Sequence, residues 1–377
     1  MTSRFDRNNV PDEARDAAFM AAAVTHGRRG LGVTAPNPAV GCVIVKDGVI
    51  IARGYTQPGG RPHAETEALR MAGEAARGAT LYVSLEPCSH FGVTGPCAHA
   101  IVQSGVARVV SAIEDPDIRV AGRGHAMIVE AGIGLRVGVG ASAARRANLG
   151  HIMRITEGRP MVTLKLAQTA NGFAGVQGQR LLITDEAANG RVQMMRAMHD
   201  AVMVGIGTVL ADDPQLTVRL AGLEQRKPLR VVLDSKLRLP LGSKLALSAK
   251  DHPILVICAS EAPVERQSAL EAQGVLVARV ERDAKGHLDL KAALKLLGQR
   301  GITRVLSEGG PTLGAALIEQ GLAEKVVIFT SPRSFEGQGG LAALAAHPRS
   351  LLTQSNWRMS AEGHAGPDSF VQYERII

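Results

Sequence analysis

"PCSHFGVTGPC", Pro87 to Cys97, holds two of the four cysteines in a chain of 377 residues. The eight residues between Cys88 and Cys97 leave three options: a disulfide, two small core residues, or two metal ligands awaiting a third. Four cysteines in so long a chain argue against a disulfide framework. Upstream, "HAETEAL" (His63 to Leu69) opens a predicted helix with an imidazole and, two residues on, the carboxylate of Glu65. One imidazole and two thiolates suit zinc with a fourth position left for water, which zinc brings near ionisation at neutral pH. The other two thiols, Cys42 and Cys258, stand inside apolar runs, where cysteine behaves as a small buried hydrophobe.

His-x-Glu followed by Pro-Cys and a second cysteine is the motif of zinc-dependent deaminases, the glutamate moving protons. Each half alone is commonplace. Together, in this order and each at a predicted strand–helix junction, they assign His63, Cys88 and Cys97 as metal ligands and Glu65 as proton shuttle. The motif has two residues between its cysteines, so this chain carries a longer loop there.

Working outward, residues 12–27 show helical periodicity, and "VGCVIVKDGVIIARGY" reads as two strands around an Asp47-Gly48 hairpin turn. Helices from about Ala64, Cys97 and Gly124 alternate with the strands "ATLYVSLE", "RVVSAIED" and "LRVGVG", which predicts a three-layer α/β/α domain over residues 1–145. The stretch 141–159 reads as a linker. Strands "RPMVTLKLA", "DAVMVG", "LRVVLD", "PILVIC", "VLVARV", "RVLSE" and "EKVVIFTS" then alternate with helices, predicting a second α/β domain with a doubly wound sheet over 146–377. In it, Gly205 and Gly207 follow a strand, and Gly309 and Gly310 separate a strand from a helix whose N-terminus suits a phosphate. Neither turn is the G-x-G-x-x-G dinucleotide fingerprint.

Hydrophobic content of 45% with 21% charged residues is globular composition. No apolar run is long enough to span a bilayer, and "MTSRFDRNNVPDEAR" lacks a secretory h-region, so a cytoplasmic protein is expected. The formal charge of +8 is diffuse: residues 1–150 hold 16 Lys/Arg against 13 Asp/Glu, net +3, leaving +5 for the rest. With aromatics at 3%, there are few platforms for stacking bases, and the basic balance suits a small phosphorylated ligand better than nucleic acid.

"NPAVGCVIV", "HAETEAL" and "EPCSHFGVTGPC" resemble the deaminase domain of the bifunctional riboflavin-biosynthesis enzymes, in which a pyrimidine deaminase is joined to a reductase. "RPMVTLKLAQTANG", "MMRAMHDAVMVGIGTVLADDPQLTVR", "LRVVLDS" and "EGGPTLGAALIEQGLA" resemble the reductase half, whose fold is that of dihydrofolate reductase. The resemblance implies a cytidine-deaminase-like α/β/α domain followed by a dihydrofolate-reductase-like α/β domain. It implies zinc on His63, Cys88 and Cys97, and substrate contacts from Asn37 and His90. It places NADPH against Ala167, Thr208, Asp212, Ser235 and the run Gly310, Pro311, Thr312 and Leu313. Arg196, Leu216, Arg219 and Glu308 would hold the phosphorylated substrate, with Lys165 assisting reduction.

The implied activity is hydrolytic deamination of 2,5-diamino-6-ribosylamino-4(3H)-pyrimidinone 5′-phosphate, followed by NADPH-dependent reduction of the ribosyl group to ribityl. The implied partners are that small pyrimidine phosphate and a second copy in a homo-oligomer, with no nucleic acid and no membrane. Departures from the family pattern are Val93 where a basic residue is common, Asn171 where Asp is common and Leu182 where Trp is common. Two alternatives stay open: a reductase-like half that no longer catalyses, and a polynucleotide deaminase.

Overall fold

The structure is a computed structural model and describes residues 12–90, 95–118, 121–176, 182–344 and 356–376. Val93 lies outside them. The chain divides into two compact units between Glu157 and Gly158.

The first unit runs α1 (Asp12–Gly27), β1 (Gly41–Lys46), β2 (Val49–Tyr55), α2 (Ala64–Ala72), β3 (Thr80–Val83), α3 (Cys97–Ser104), β4 (Arg108–Ser111), α4 (Arg123–Glu130), β5 (Gly134–Val137) and α5 (Ala141–Glu157). Its sheet has the order β2-β1-β3-β4-β5, antiparallel around β1 and parallel from β3 to β5. Asp47 and Gly48 take φ of 51° and 73°, the left-handed pair that a two-residue turn needs to match strand twist. β1 is the buried centre of the sheet, and Cys42 sits in it as a core hydrophobe.

Residues 141–159 are not a linker. Most of the stretch is α5, which buries Ala144, Ala147 and Asn148 against the first unit's core. Small alanines at helical spacing bury little area each, so their pattern carries a weak hydrophobic signal. The boundary read at 145/146 therefore falls inside a helix.

The second unit begins with β6 (Met161–Gln168), β7 (Phe173–Val176), α6 (Glu186–Ala197), β8 (Ala201–Gly205), α7 (Ile206–Asp212), β9 (Leu229–Leu233) and α8 (Lys244–Leu247). It continues through β10 (Ile254–Ala259), α9 (Val264–Glu271), β11 (Leu276–Val280), α10 (Leu290–Gln299), β12 (Arg304–Ser307) and α11 (Pro311–Glu319). β13 (Lys325–Thr330), β14 (Gly340–Ala342), β15 (Trp357–Ala365) and β16 (Asp368–Arg375) complete it. The nine-stranded sheet has the order β11-β10-β9-β8-β12-β6-β13-β16-β15. It is parallel from β11 to β13, and the C-terminal hairpin is added antiparallel. Cys258, in β10, is fully buried.

The wiring of this sheet places a crevice. From β8 the chain moves to β9 on one side, whereas from β12 it crosses β6 to β13 on the other. Ligands bind outside the carboxyl ends of strands where connections diverge in this way. Here α7 and α11, the helices leaving those two strands, flank the gap.

Candidate active sites

In the first unit, the strand–helix junctions bring the motif together. His63 is the N-cap of α2, Glu65 lies in its first turn, Cys88 follows β3, and Cys97 is the first residue of α3. His63 Nδ1 is 3.6 Å from Cys88 Sγ and 3.4 Å from Cys97 Sγ. Zinc with bonds of about 2.0 Å to nitrogen and 2.3 Å to sulfur sets such donors about 3.5 Å apart on a tetrahedron. The donor set and its edges therefore fit zinc.

The Cys97 amide donates to Cys88 Sγ at 3.3 Å, placing a helix-start N–H on a thiolate. A hydrogen bond from the Cys97 thiol brings the Cys88 thiol down to about 4, and the same bond pushes the Cys97 thiol up. Glu65 is 3% exposed, and burial pushes its carboxyl up to about 7.

A cavity of about 450 Å³ is lined by His63, Glu65 and Cys88 together with Asn37 and His90, so two of the three expected ligands, the expected shuttle and both expected substrate contacts border one space, with Cys97 behind its lining. Asn37 is held by its Nδ2, which donates to the Gly60 carbonyl at 2.8 Å. Gly60 has φ of 83°, and a Cβ there would stand 2.5 Å from that same Nδ2, so the approach requires glycine. Three further cavity residues, Glu86, Asp115 and His151, escaped the sequence reading. Glu86 accepts four backbone N–H bonds, from Asp115, Gly122, Gly124 and His125, and so fastens the segment entering α4. Its signal was its place directly before Pro87-Cys88. His151 comes from α5, where no motif marks it.

In the second unit, a cleft of about 600 Å³ opens at the topological switch point. From β6 come Lys165 and Ala167, from α7 Thr208 and Asp212, and from the start of α11 Gly310 and Pro311. Leu216 and Arg219 border it after α7, and Arg196 of α6 faces Glu308, which follows β12. Glu308 receives a bidentate pair from Arg196, Nε to Oε1 at 2.6 Å and Nη2 to Oε2 at 2.8 Å, while Arg196 Nη1 donates to the Thr217 carbonyl. Arg196 thus spends its donors on orienting Glu308. Burial works against the Glu308 charge, but the Arg196 guanidinium holds its carboxyl below the ordinary range. Burial likewise lowers the Lys165 ammonium, with Glu308 opposing. Leu216 adopts φ of 55°, a strained value for leucine of the kind that clusters at ligand sites. Arg219 lies on the rim, its Nη1 donating to Gln215 Oε1.

Ser235, Thr312 and Leu313 do not line this cleft. Ser235 follows β9 and accepts the Ala259 amide through its carbonyl, and Leu313 packs on the core. What remains suits the phosphate of a dinucleotide: the α11 N-cap, Gly310, borders the cleft, a Cβ there would meet only Thr208 Oγ1 at 3.9 Å, and the first-turn amides have no side-chain acceptor. The two departures also find places. Asn171 Nδ2 donates to the Phe335 carbonyl while its Oδ1 accepts from the Phe335 amide and Thr169 Oγ1, a clasp no carboxylate could copy. Leu182 is 68% exposed on the cleft border.

The sequence profile of the cytidine and deoxycytidylate deaminase zinc-binding region matches residues 13–113, and that of the RibD C-terminal domain matches residues 160–345. The riboflavin biosynthesis protein RibD of Escherichia coli is 38% identical over 367 residues, covering 94% of this chain and 98% of the relative. The chain belongs to the RibD family. RibD of Aquifex aeolicus is 40% identical over 319 residues, 84% of this chain and 87% of that protein. Solved RibD from Acinetobacter baumannii superposes with a TM-score of 0.85 at 35% identity, covering 97% of this chain and 100% of the other. A Thermotoga maritima structure, described as a diaminohydroxyphosphoribosylaminopyrimidine deaminase/5-amino-6-(5-phosphoribosylamino)uracil reductase, gives 0.82 at 32% identity, with coverage of 97% and 100%. The RibD family thus accounts for both units and for their order. The two alternatives weighed from the sequence gain nothing from these relatives. Among the described residues, no helix is long and apolar enough to cross a membrane.

Proposed function

We propose that this RibD-family chain catalyses two consecutive steps of riboflavin biosynthesis: zinc-dependent deamination of 2,5-diamino-6-ribosylamino-4(3H)-pyrimidinone 5′-phosphate, then NADPH-dependent reduction of its ribosyl group to ribityl. The observation that carries the reading is a zinc-spaced His63–Cys88–Cys97 triangle whose His63 and Cys88 line, with the buried Glu65 carboxylate, one ligand-sized cavity.

Zinc held by that triangle supplies Lewis acidity that makes water nucleophilic near neutral pH. Glu65, beside it and raised by burial, takes the proton from the attacking water and returns it to the departing amine as the carbon–nitrogen bond breaks and ammonia leaves. Asn37, fixed through Gly60, and His90 orient the pyrimidine. In the second unit NADPH supplies hydride. The chain contributes Ala167, Thr208, Asp212 and the Gly310–Pro311 helix start to its binding. Glu308, aligned by Arg196, anchors the ribosyl substrate, with Leu216 and Arg219 at its flank. Lys165, half-buried in the same cleft as Glu308, gives the opened sugar its proton in this reading. Ser235, Thr312 and Leu313 support the cofactor from outside the cleft lining.

The reading includes a cytoplasmic homo-oligomer, and sedimentation returning a monomer would remove that part. The zinc-loaded chain is expected to release ammonia from the free pyrimidine phosphate and none from tRNA or single-stranded DNA. The reverse preference would overturn the assignment.

A further inference from the structure

α6 turns one face to the reductase cleft, which Gln193 and Arg196 line from positions one helical turn apart. Both side chains grip the segment that follows α7. Arg196 Nη1 donates to the Thr217 carbonyl at 3.0 Å, and Gln193 Oε1 accepts the Arg219 amide at 2.9 Å. The far end of Arg219 is steadied by Gln215, whose Oε1 accepts from Nη1 at 2.7 Å. A backbone N–H can only donate, so the Gln193 amide is held with its oxygen on Arg219 and its nitrogen on the other side. That Nε2 has no acceptor among the described residues and is not buried, which leaves two N–H donors accessible on a residue of the cleft lining.

Four cations line this cleft: Lys165, Arg196, Arg219 and Lys244. Arg196 is spent on Glu308 and Thr217, and Lys244 pairs with Asp213 at 3.6 Å. Arg219 differs. Its Nε and Nη2 donate no hydrogen bond among the described residues. Those two nitrogens form a guanidinium edge that can take an oxyanion in two parallel bonds. Gln193 and Arg219, joined through the Arg219 amide, thus bring open donors to the same part of the cleft.

We propose that Gln193 is a phosphate-contact residue of the reductase cleft. With its Oε1 braced on the Arg219 amide, its Nε2 donates to the same phosphate monoester that the Nε–Nη2 edge of Arg219 takes, and the pair makes the cleft prefer a phosphorylated sugar. The proposal rests on the reductase reading above. Donors bond an ionised acceptor more strongly than a neutral one, and a site built on such bonds discriminates against analogues that lack the acceptor.

NADPH oxidation with the deaminated product and with its dephosphorylated form gives a preference, the ratio of the two kcat/KM values. Gln193→Met keeps the length of the side chain and removes both polar ends. Gln193→Glu keeps an oxygen for the Arg219 amide and loses the donors, whereas Gln193→Lys keeps a donor and gives up the acceptor. The preference is expected to fall about tenfold in Gln193→Met and about a hundredfold in Gln193→Glu, chiefly through KM. In Gln193→Lys it should stay within about threefold of wild type. KM for NADPH is the control for the fold of the unit. If the Glu variant keeps the preference and the Lys variant loses it, the brace on Arg219 is the whole role and the proposal is overturned. A preference unchanged in all three variants, with both substrates losing alike, is what a structural residue would give and overturns it equally. Should the Met variant fail to fold, the Glu–Lys contrast still decides the question. A wild type that reduces both forms equally well sinks the proposal and leaves the reductase reading standing. A wild type that oxidises no NADPH with the deaminated product defeats that reading itself, and this proposal with it.

Discussion

Glu65 and its neighbours separate two jobs that sequence alone runs together. His63, Cys88 and Cys97 make a triangle with the spacing of zinc donors, and Glu65, in the first turn of the helix that His63 caps, is a buried carboxyl. Glu65→Gln should therefore keep its zinc and lose about two to four orders of magnitude in deamination. Metal analysis paired with an ammonia assay checks this, and zinc loss in the variant would make Glu65 a ligand instead. These residues were legible because reactive side chains at motif spacing announce themselves. Asn171 and His151 were not, since a clasp to Phe335 or a place in a cavity exists only once distant segments meet. His199 was equally silent. Its Nδ1 donates to the Met195 carbonyl and its Nε2 accepts from Thr163 Oγ1, while burial holds the ring down to about 3. The unfolded chain takes up a proton near pH 6.5 that the folded chain refuses, so this stability is complete above that pH and drains away towards pH 3. At pH 5 the penalty amounts to about 2 kcal/mol. Urea unfolding of the reductase unit at pH 7 and pH 5 should show a steeper loss in wild type than in His199→Gln, and parallel losses would contradict it.

Among the elements, α5 changed most between reading and structure. Its buried positions are Ala144, Ala147, Asn148, Gly150 and Met153, a stripe too small and too polar to register as apolar periodicity. A linker would tolerate a charge at Ala144, whereas the packed helix should not. Ala144→Asp should destabilise the first unit by more than about 2 kcal/mol and release zinc at lower urea, because it buries an unpaired carboxylate. Wild-type behaviour in that variant would restore the linker reading. The C-terminal hairpin was missed for a related reason. β15 is largely exposed along its length and forms the outer strand of the sheet, so no buried face imprints alternation on its sequence. The central strands β6, β8, β9, β10 and β12 were legible because burial on both faces demands continuous apolar runs.

At the scale of the whole molecule, each of the two units gathers its own candidate site. The deaminase cavity draws only on residues before Gly158 and the reductase cleft only on residues after it. Lys165→Ala should accordingly leave deamination within about twofold of wild type while lowering NADPH turnover by about a hundredfold or more. Equal loss of both would contradict independent sites. The most direct test of the account uses the zinc-loaded full chain with the pyrimidine phosphate and NADPH, following ammonia and NADPH together. The account predicts ammonia release first and NADPH oxidation only after it, with Glu65→Gln abolishing both and Lys165→Ala abolishing the second alone. NADPH oxidation by the Glu65→Gln chain from the undeaminated substrate, or none by the wild type given the deaminated product, would contradict it.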